Sequence, residues 1–325
     1  MDGHILVTGG AGYIGSHMTL ALQEAGERVV VIDDLSTGRR QAVPADVPLF
    51  EGSVGDAAFV GSVMDRHPIS AIIHFAASIV VPDSVTRPLD YYRNNTANAR
   101  TLIDCAVGRG VPHVVFSSTA AVYGEPDRTP IGEYLPTQPI NPYGRSKLMV
   151  EWMLNDVARA HALSYAALRY FNVAGADPAG RTGQSTPNAT HLIKIAVQAA
   201  LGKRDGLDVF GTDYPTPDGS CIRDYVHVSD LVAAHLDALR YLRAGQPSIT
   251  CNIGYAAGYS VLDVIEVVKR VSGVDFPVRL KGRRAGDPAV LVASNERART
   301  ELGWTPRYDD LETIVRHALA WERRL

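Results

Sequence analysis

Cysteine is scarce in this sequence. Three residues, Cys105, Cys221 and Cys251, lie far apart in a chain of 325. They match no zinc spacing and form no disulfide framework, so reduced thiols in a cytoplasmic protein are expected. An excess of charge of either sign is also missing: 32 Lys+Arg stand against 35 Asp+Glu. That balance leaves no polyanion footprint, so neither nucleic acid nor an anionic membrane is the expected partner. No run of about 18 apolar residues occurs, which excludes an obvious membrane-spanning helix. The strand-like run His4-Ile5-Leu6-Val7 comes almost at once, so no signal peptide is expected. No His/Asp/Glu cluster has ligand spacing, so no metal is expected. Internal repeats and low-complexity segments are absent.

What is present is a globular composition, 46% apolar and 21% charged. The length suits two domains, or one large α/β domain with an appendage. Short apolar runs at 5–8, 28–32, 71–75, 113–117 and 165–169 read as strands covered on both faces. Helical patterns lie between them, from Gly15 to Gly26, at about 94–108 and at about 146–161. This alternation predicts an α/β fold, a doubly wound parallel Rossmann sheet with ligand at the carboxyl ends of its strands. Past about residue 172 the texture changes. Loops are expected at 177–187 and 213–218, and helices at about 190–201, 228–243, 260–271 and 310–322. A smaller C-terminal α/β domain, mainly 173–325, is therefore expected to close over a first domain of 1–172. Segments at about 220–255 are expected to return to that first domain.

Gly9-Gly10-Ala11-Gly12-Tyr13-Ile14-Gly15 follows a strand and opens a helix. Glycine lets such a turn take unusual dihedrals and lets the backbone approach a pyrophosphate. The helix start adds free N–H groups and a positive dipole end. Asp33 comes eighteen residues after Gly15, at the end of the second strand. A carboxylate there binds ribose hydroxyls and repels a 2′-phosphate, which favours NAD over NADP. Arg39 and Arg40 weaken that preference slightly.

Tyr143 and Lys147 are four apart at the start of a helix and share a face. Upstream, Ser117-Ser118-Thr119 ends a strand. A free tyrosine titrates near pH 10, so a phenolate at pH 7 needs roughly 4 kcal/mol of help. A nearby ammonium and a cationic nicotinamide ring would supply it. The phenolate can then accept a hydroxyl proton while hydride leaves carbon, with the Thr119 hydroxyl on the same oxygen.

With these motifs the chain resembles the extended short-chain dehydrogenase/reductases, and within them the sugar-nucleotide 4-epimerases, over nearly its whole length. The matching segments include residues 7–17, His74-Phe75-Ala76-Ala77, Tyr91-Tyr92-Arg93-Asn94-Asn95, residues 117–124, 142–151 and Leu168-Arg169-Tyr170-Phe171-Asn172. Residues 210–219 and 222–228 carry the stretch most typical of the 4-epimerases. The resemblance implies reversible 4-epimerisation of UDP-glucose and UDP-galactose through a 4-keto intermediate, with tightly held NAD. It implies a cofactor site at Gly9, Gly12, Tyr13, Ile14 and Gly15, at Asp33 and Asp34, at Ser53 and Val54, and at Phe75, Ala76 and Ala77. Asn95, Ser117, Tyr143, Lys147 and Tyr170 complete it. Tyr143, Lys147 and Thr119 are the implied catalytic residues. Thr119, Tyr143, Asn172, His191, Leu192, Phe210, Arg223, Arg284, Asp287 and Leu291 are implied to meet the UDP-sugar. Arg279 and Lys281 read as a solvated basic turn, and His74 and His227 receive no role. A homodimer built on the helices at about 94–108 and 146–161 is implied by the same analogy.

Four positions depart from the pattern. Thr119 stands where serine is usual, Ser53 where aspartate often reaches the adenine, and Ile79 where some relatives carry lysine near the cofactor. Leu291 sits at the gate on the sugar's C2 side, and its intermediate size leaves N-acetylated sugars as an alternative, while a UDP-pentose stays one because a pentose 4-epimerase's site differs little. A nucleotide-sugar 4,6-dehydratase fits less well, because Ala120-Ala121 replaces that family's Asp-Glu pair and has no proton to give or take.

Overall fold

The computed structural model describes residues 3–186, 189–284 and 287–325. Short β-branched runs form β1 (His4–Thr8), β2 (Val29–Asp33), β4 (Ile69–His74), β5 (His113–Thr119) and β6 (Ser164–Tyr170). With β3 (Leu49–Glu51) and the strand Ile249–Ile253 they make one seven-stranded sheet. Its order is Ile249–Ile253, β6, β5, β4, β1, β2, β3, and every neighbouring pair is parallel. This is the doubly wound Rossmann arrangement, with the order reversing between β1 and β4.

Two of these strands do not stand out in the sequence. Leu49–Glu51 is too short to show a period, and none of its residues is fully buried. Ile249–Ile253 carries polar Thr250 and Asn252. Asn252 is buried because Tyr123 and the carbonyl of Ile131 satisfy its side chain, at 2.7 and 2.8 Å.

Both faces of the sheet are covered, which explains the unbroken apolar strands. On one face α1 (Tyr13–Glu24) and the helix Val228–Arg243 pack over Val7, Val31, Ile73 and Val115. That core continues without a break to Ile314 and Val315 of the helix Leu311–Glu322. On the other face α2 (Ala57–Arg66), Asn98–Gly108 and Pro142–Ala160 cover Leu6, Ile72, Val114 and Phe116. A π-helical turn, Tyr92–Ala97, leads into Asn98–Gly108 and sets the direction of Asn95.

Beyond β6 the strands are short. Asn172–Ala174 pairs with Tyr225–His227, Leu207–Phe210 with Val278–Lys281, and Ile222–Arg223 lies between Tyr259–Ser260 and Val290–Leu291. Arg279 and Lys281, expected in a turn, are instead on a strand, where Arg279 pairs with Asp208 at 2.6 Å. The expected loop at 177–187 is found as far as 186, and residue 187 lies outside the described residues.

The buried histidines predict the acid limit of this fold. Burial lowers His17 and His235 to about 4 and His74 and His227 to about 3. Below about pH 6.5 the unfolded chain takes up protons that the native chain refuses. The histidines' contribution is therefore full above pH 6.5 and falls with acidification, by about 1.4 kcal/mol per pH unit for each histidine. Asp224, raised to about 6 by burial, opposes this, as do Asp33, Asp230 and Asp237, which burial also raises. The thermal midpoint should fall gently from pH 8 to 7, where Lys147, lowered to about 7 by burial, already contributes, and drop steeply from pH 6.5 to 4.5. A flat midpoint across that lower range would contradict the assignment.

Candidate active site

Six segments far apart in sequence meet along the carboxyl edge of the sheet, the usual ligand edge of such folds. The glycine turn follows β1, Asp33 ends β2 with Asp34 next to it, Ser53 and Val54 lie just past β3, and Phe75, Ala76 and Ala77 just past β4. Ser117 and Thr119 end β5, and Tyr170 ends β6. Within the turn Gly9 has φ +72°, and a Cβ on Gly15 would lie 2.1 Å from the Gly9 carbonyl oxygen. A Cβ on Gly12 would meet only that same oxygen, at 3.2 Å, with open space beyond.

α1 begins at Gly12 with no side-chain cap. Among the described helices of nine or more residues that start from a loop, it shares this with Leu192–Ala200, which begins at His191. Asp56, Asn141, His227, Ser260 and Asp310 cap the others. Uncapped first turns leave N–H groups and the positive dipole end free for an anion. The residues present thus fit a dinucleotide pyrophosphate at α1. Asp33 accepts from the amides of Ala11 and Leu35, both at 2.8 Å, and each oxygen keeps a lone pair for a diol. The Tyr13 hydroxyl donates to the carbonyl of Gly175 at 2.7 Å, tying α1 to the segment after β6. Ser53 accepts from the amide of Gly55 at 3.1 Å, and Ile79 is 46% exposed.

Tyr143 and Lys147 lie one turn apart on Pro142–Ala160, which packs against β5. Both are buried, at 8% and 2% exposure. The Lys147 ammonium donates to the carbonyl of Ser117 at 2.8 Å and stands 5.0 Å from the centre of the Phe116 ring. Burial pulls Lys147 down to about 7. Burial also pushes Tyr143 above its ordinary value, while the Thr119 hydroxyl beside it pulls the other way. Both shifts belong to the protein without a cationic nicotinamide ring beside Tyr143. Desolvation dominates both groups, and the protein's own charges do not offset it.

Asn95 is almost fully buried and braces this helix. Its side chain accepts from the Ser78 amide at 2.7 Å, then donates to the Ser78 carbonyl and to Ser146 Oγ, both at 3.0 Å. Ser146 Oγ in turn donates to the Tyr143 carbonyl at 2.7 Å. The Tyr170 hydroxyl shares a hydrogen bond with Ser117 Oγ. His74 bonds to Thr8 Oγ1 at 2.6 Å and stacks near Phe116.

The remaining residues form a second group. Arg223 is buried, pairs with Asp287, and lies in register with Leu291. The Arg284 guanidinium stacks 3.7 Å from the centre of the Phe210 ring. Asn172, Gln184, His191 and Leu192 line one small cavity, and Gln184 bonds to His191 Nδ1 at 2.8 Å. Leu291 packs on the cluster that holds Ala120, Leu148 and Phe171, which links this group to the residues around Tyr143.

The sequence reading missed Ser78, Gln184 and the buried pair Glu151–Arg169. Glu151 could have been found, since Tyr143, Lys147 and Glu151 recur at every fourth residue on one helix face. Ser78 and Gln184 carry no such signal.

Residues 5–254 match the NAD dependent epimerase/dehydratase family. A UDP-glucose 4-epimerase of Azospirillum brasilense is 60% identical over 321 residues, which is 99% of this chain and 92% of that protein. The UDP-glucose 4-epimerase of Brucella ovis, solved with NAD, superposes with a TM-score of 0.95 at 44% identity over 98% of both chains. The UDP-Glc/GlcNAc 4-epimerase of Campylobacter jejuni superposes with a TM-score of 0.87 at 47% identity over all of both chains. The chain belongs to the NAD dependent epimerase/dehydratase family and, within it, to the UDP-glucose 4-epimerases.

Proposed function

We infer that the chain interconverts UDP-glucose and UDP-galactose by reversible 4-epimerisation, with NAD at the glycine turn. The observation that carries this reading is the meeting of Tyr143, Lys147 and Thr119 on the sheet edge that also bears the uncapped start of α1. Bound NAD supplies the hydride acceptor for C4 of the sugar, and the positive charge of its ring favours phenolate at Tyr143.

Tyr143 takes the proton of the 4-hydroxyl and returns it after the sugar has turned over. Lys147 steadies the phenolate as an ammonium fixed by the Ser117 carbonyl. Thr119 carries the serine role, its hydroxyl hydrogen-bonding at the same oxygen. Ala120 and Ala121 follow it, so no side chain there removes the C5 proton, and the product is an isomer rather than a dehydrated sugar.

Arg223 and Arg284 supply charge and donors to the diphosphate, and the N-terminus of Leu192–Ala200 adds its free amides. Phe210, backed by Arg284, offers a face to uracil, while Asn172, His191, Leu192 and Asp287 complete the nucleotide's surroundings. The division of labour is a cofactor domain over 1–172 with returning segments at about 220–255, and a sugar-nucleotide domain over the rest. Leu291 faces the sugar's C2 side. Its moderate size and the Campylobacter relative's name support UDP-N-acetylhexosamine as a second substrate. A homodimer is supported by Val85, Leu89 and Trp152, which are 62%, 79% and 57% exposed on neighbouring helices.

Arg223→Met should raise the KM for UDP-galactose about tenfold or more and leave kcat within about threefold, since it removes a charge-assisted contact remote from C4. An unchanged KM would remove Arg223 from the site. The reading as a whole is tested by incubating purified protein with UDP-galactose, adding no NAD, and following the sugar protons by NMR. UDP-glucose at a constant final ratio is the expected result. No conversion, even after NAD is added, would overturn it.

A further inference from the structure

A chain of buried polar side chains lies against the sheet one turn beyond Lys147. Ser118 Oγ donates to Glu151 Oε1. Arg169 closes on the same carboxylate, its Nε donating to Oε1 at 3.0 Å and its Nη2 to Oε2 at 2.6 Å. Arg169 Nη1 donates to the Tyr123 hydroxyl at 2.9 Å, which donates to Asn252 at 2.7 Å. Glu151 and Arg169 are 6% and 8% exposed, and Ser118 is fully buried.

A buried ion pair of this kind is a poor device for stability, because desolvation offsets the attraction and apolar residues would serve as well. Its position suggests another use. Lys147 holds the carbonyl of Ser117, and Glu151, one turn on, holds the hydroxyl of Ser118. Two consecutive residues of β5 are thus fixed to two consecutive turns of Pro142–Ala160. Thr119 is the next residue of the strand, and Tyr143 is the previous turn of the helix.

We propose that Ser118, Glu151 and Arg169 are positioning residues for the proton-transfer site, setting the register of helix against strand while presenting no net charge to Lys147 and Tyr143. The proposal rests on the reading of Tyr143 as the base. The pair is neutral only as a pair: Glu151 alone would hold protons on Tyr143 and Lys147, and Arg169 alone would drive them off. The other titratable groups facing these two are His74 from β4, Tyr170 from β6, and Tyr91, itself next to Asp83. His74 is held neutral by burial at about 3, and burial keeps both tyrosines protonated, so none balances a charge left on the pair.

The test is the pH profile of kcat with UDP-galactose for the holoenzyme and its variants, with Tyr143→Phe as reference. Glu151→Gln leaves a cation and should move the acid limb to lower pH by about half a unit or more. Arg169→Gln leaves an anion and should move it to higher pH by a similar amount. The double variant, neutral again, should return the limb toward the wild-type position. Ser118→Ala keeps the ion pair and decides the matter if the charge variants fail to fold. It should lower kcat about tenfold with KM within about twofold and the limb unmoved. Unmoved limbs in both single variants, or wild-type kcat in Ser118→Ala, would overturn the proposal, and an inactive Tyr143→Phe would then leave the base assignment standing. A Tyr143→Phe variant that keeps its activity would overturn the base assignment and this proposal together.

Discussion

Tyr143→Phe should lower kcat about 1,000-fold and leave the KM for UDP-galactose within about threefold. The substitution removes one oxygen, the atom that is to exchange the proton of the 4-hydroxyl, and general acid–base catalysis of this kind contributes typically 100- to 10,000-fold. The ring remains to fill its buried place beside Thr119, so the fold and the sugar nucleotide's binding should survive. A loss confined to kcat is the mark of an interaction made at the reacting atoms rather than on the bound nucleotide. Steady-state rates at pH 8 measure it. More than a tenth of the wild-type rate would mean that another group moves the proton. His74 is poorly placed for that role, since burial and its bond to Thr8 keep it neutral in the sheet.

Gly15→Ala should strip the protein of its cofactor and lower Tm by about 5 °C or more. The added carbon would fall 2.1 Å from the Gly9 carbonyl oxygen and 2.8 Å from Gly10 Cα. Both are backbone atoms of the turn, so the turn or the first residues of α1 must move, and the free amides at the helix start move with them. Gly26→Ala makes a useful contrast. It has φ +77° but meets nothing within 4 Å. It should cost only about 1–2 kcal/mol of backbone strain and keep the cofactor. Nucleotide released from the purified proteins by acid and measured by chromatography separates the two. A full complement of NAD in Gly15→Ala would show that the glycine turn does not hold the pyrophosphate.

Much of this architecture is legible in the amino-acid order, for identifiable reasons. Strands buried on both faces read as continuous apolar runs, which is how β1, β2, β4, β5 and β6 are found within a residue or two of their ends. The helix Val228–Arg243 has the same bounds in the sequence and in the structure, because Val228, Leu231, Ala238 and Leu242 keep its period against the sheet. The strand Ile249–Ile253 escapes notice because Thr250 and Asn252 interrupt its apolar run, and the buried Asn252 has partners supplied from distant segments. The protonation of Tyr143 and Lys147 is illegible for a similar reason. A Tyr-x-x-x-Lys spacing fixes which side chains share a helix face, whereas the pKa values follow from burial beneath β5, which spacing does not encode. The glycine turn is the opposite case, since its conformational demand is local and is written in the residues themselves.

The central claim is that the sugar's own C4 hydrogen leaves and returns to the same carbon while Tyr143 handles only the hydroxyl proton. UDP-galactose carrying deuterium at C4, incubated with the purified protein in ordinary water without added NAD, tests it directly. Mass spectrometry and proton NMR of the UDP-glucose formed should show the deuterium retained at C4. UDP-glucose with hydrogen from water at C4 would mean that a base removes the C4 hydrogen as a proton, and would contradict the roles assigned to Tyr143, Lys147 and the glycine turn.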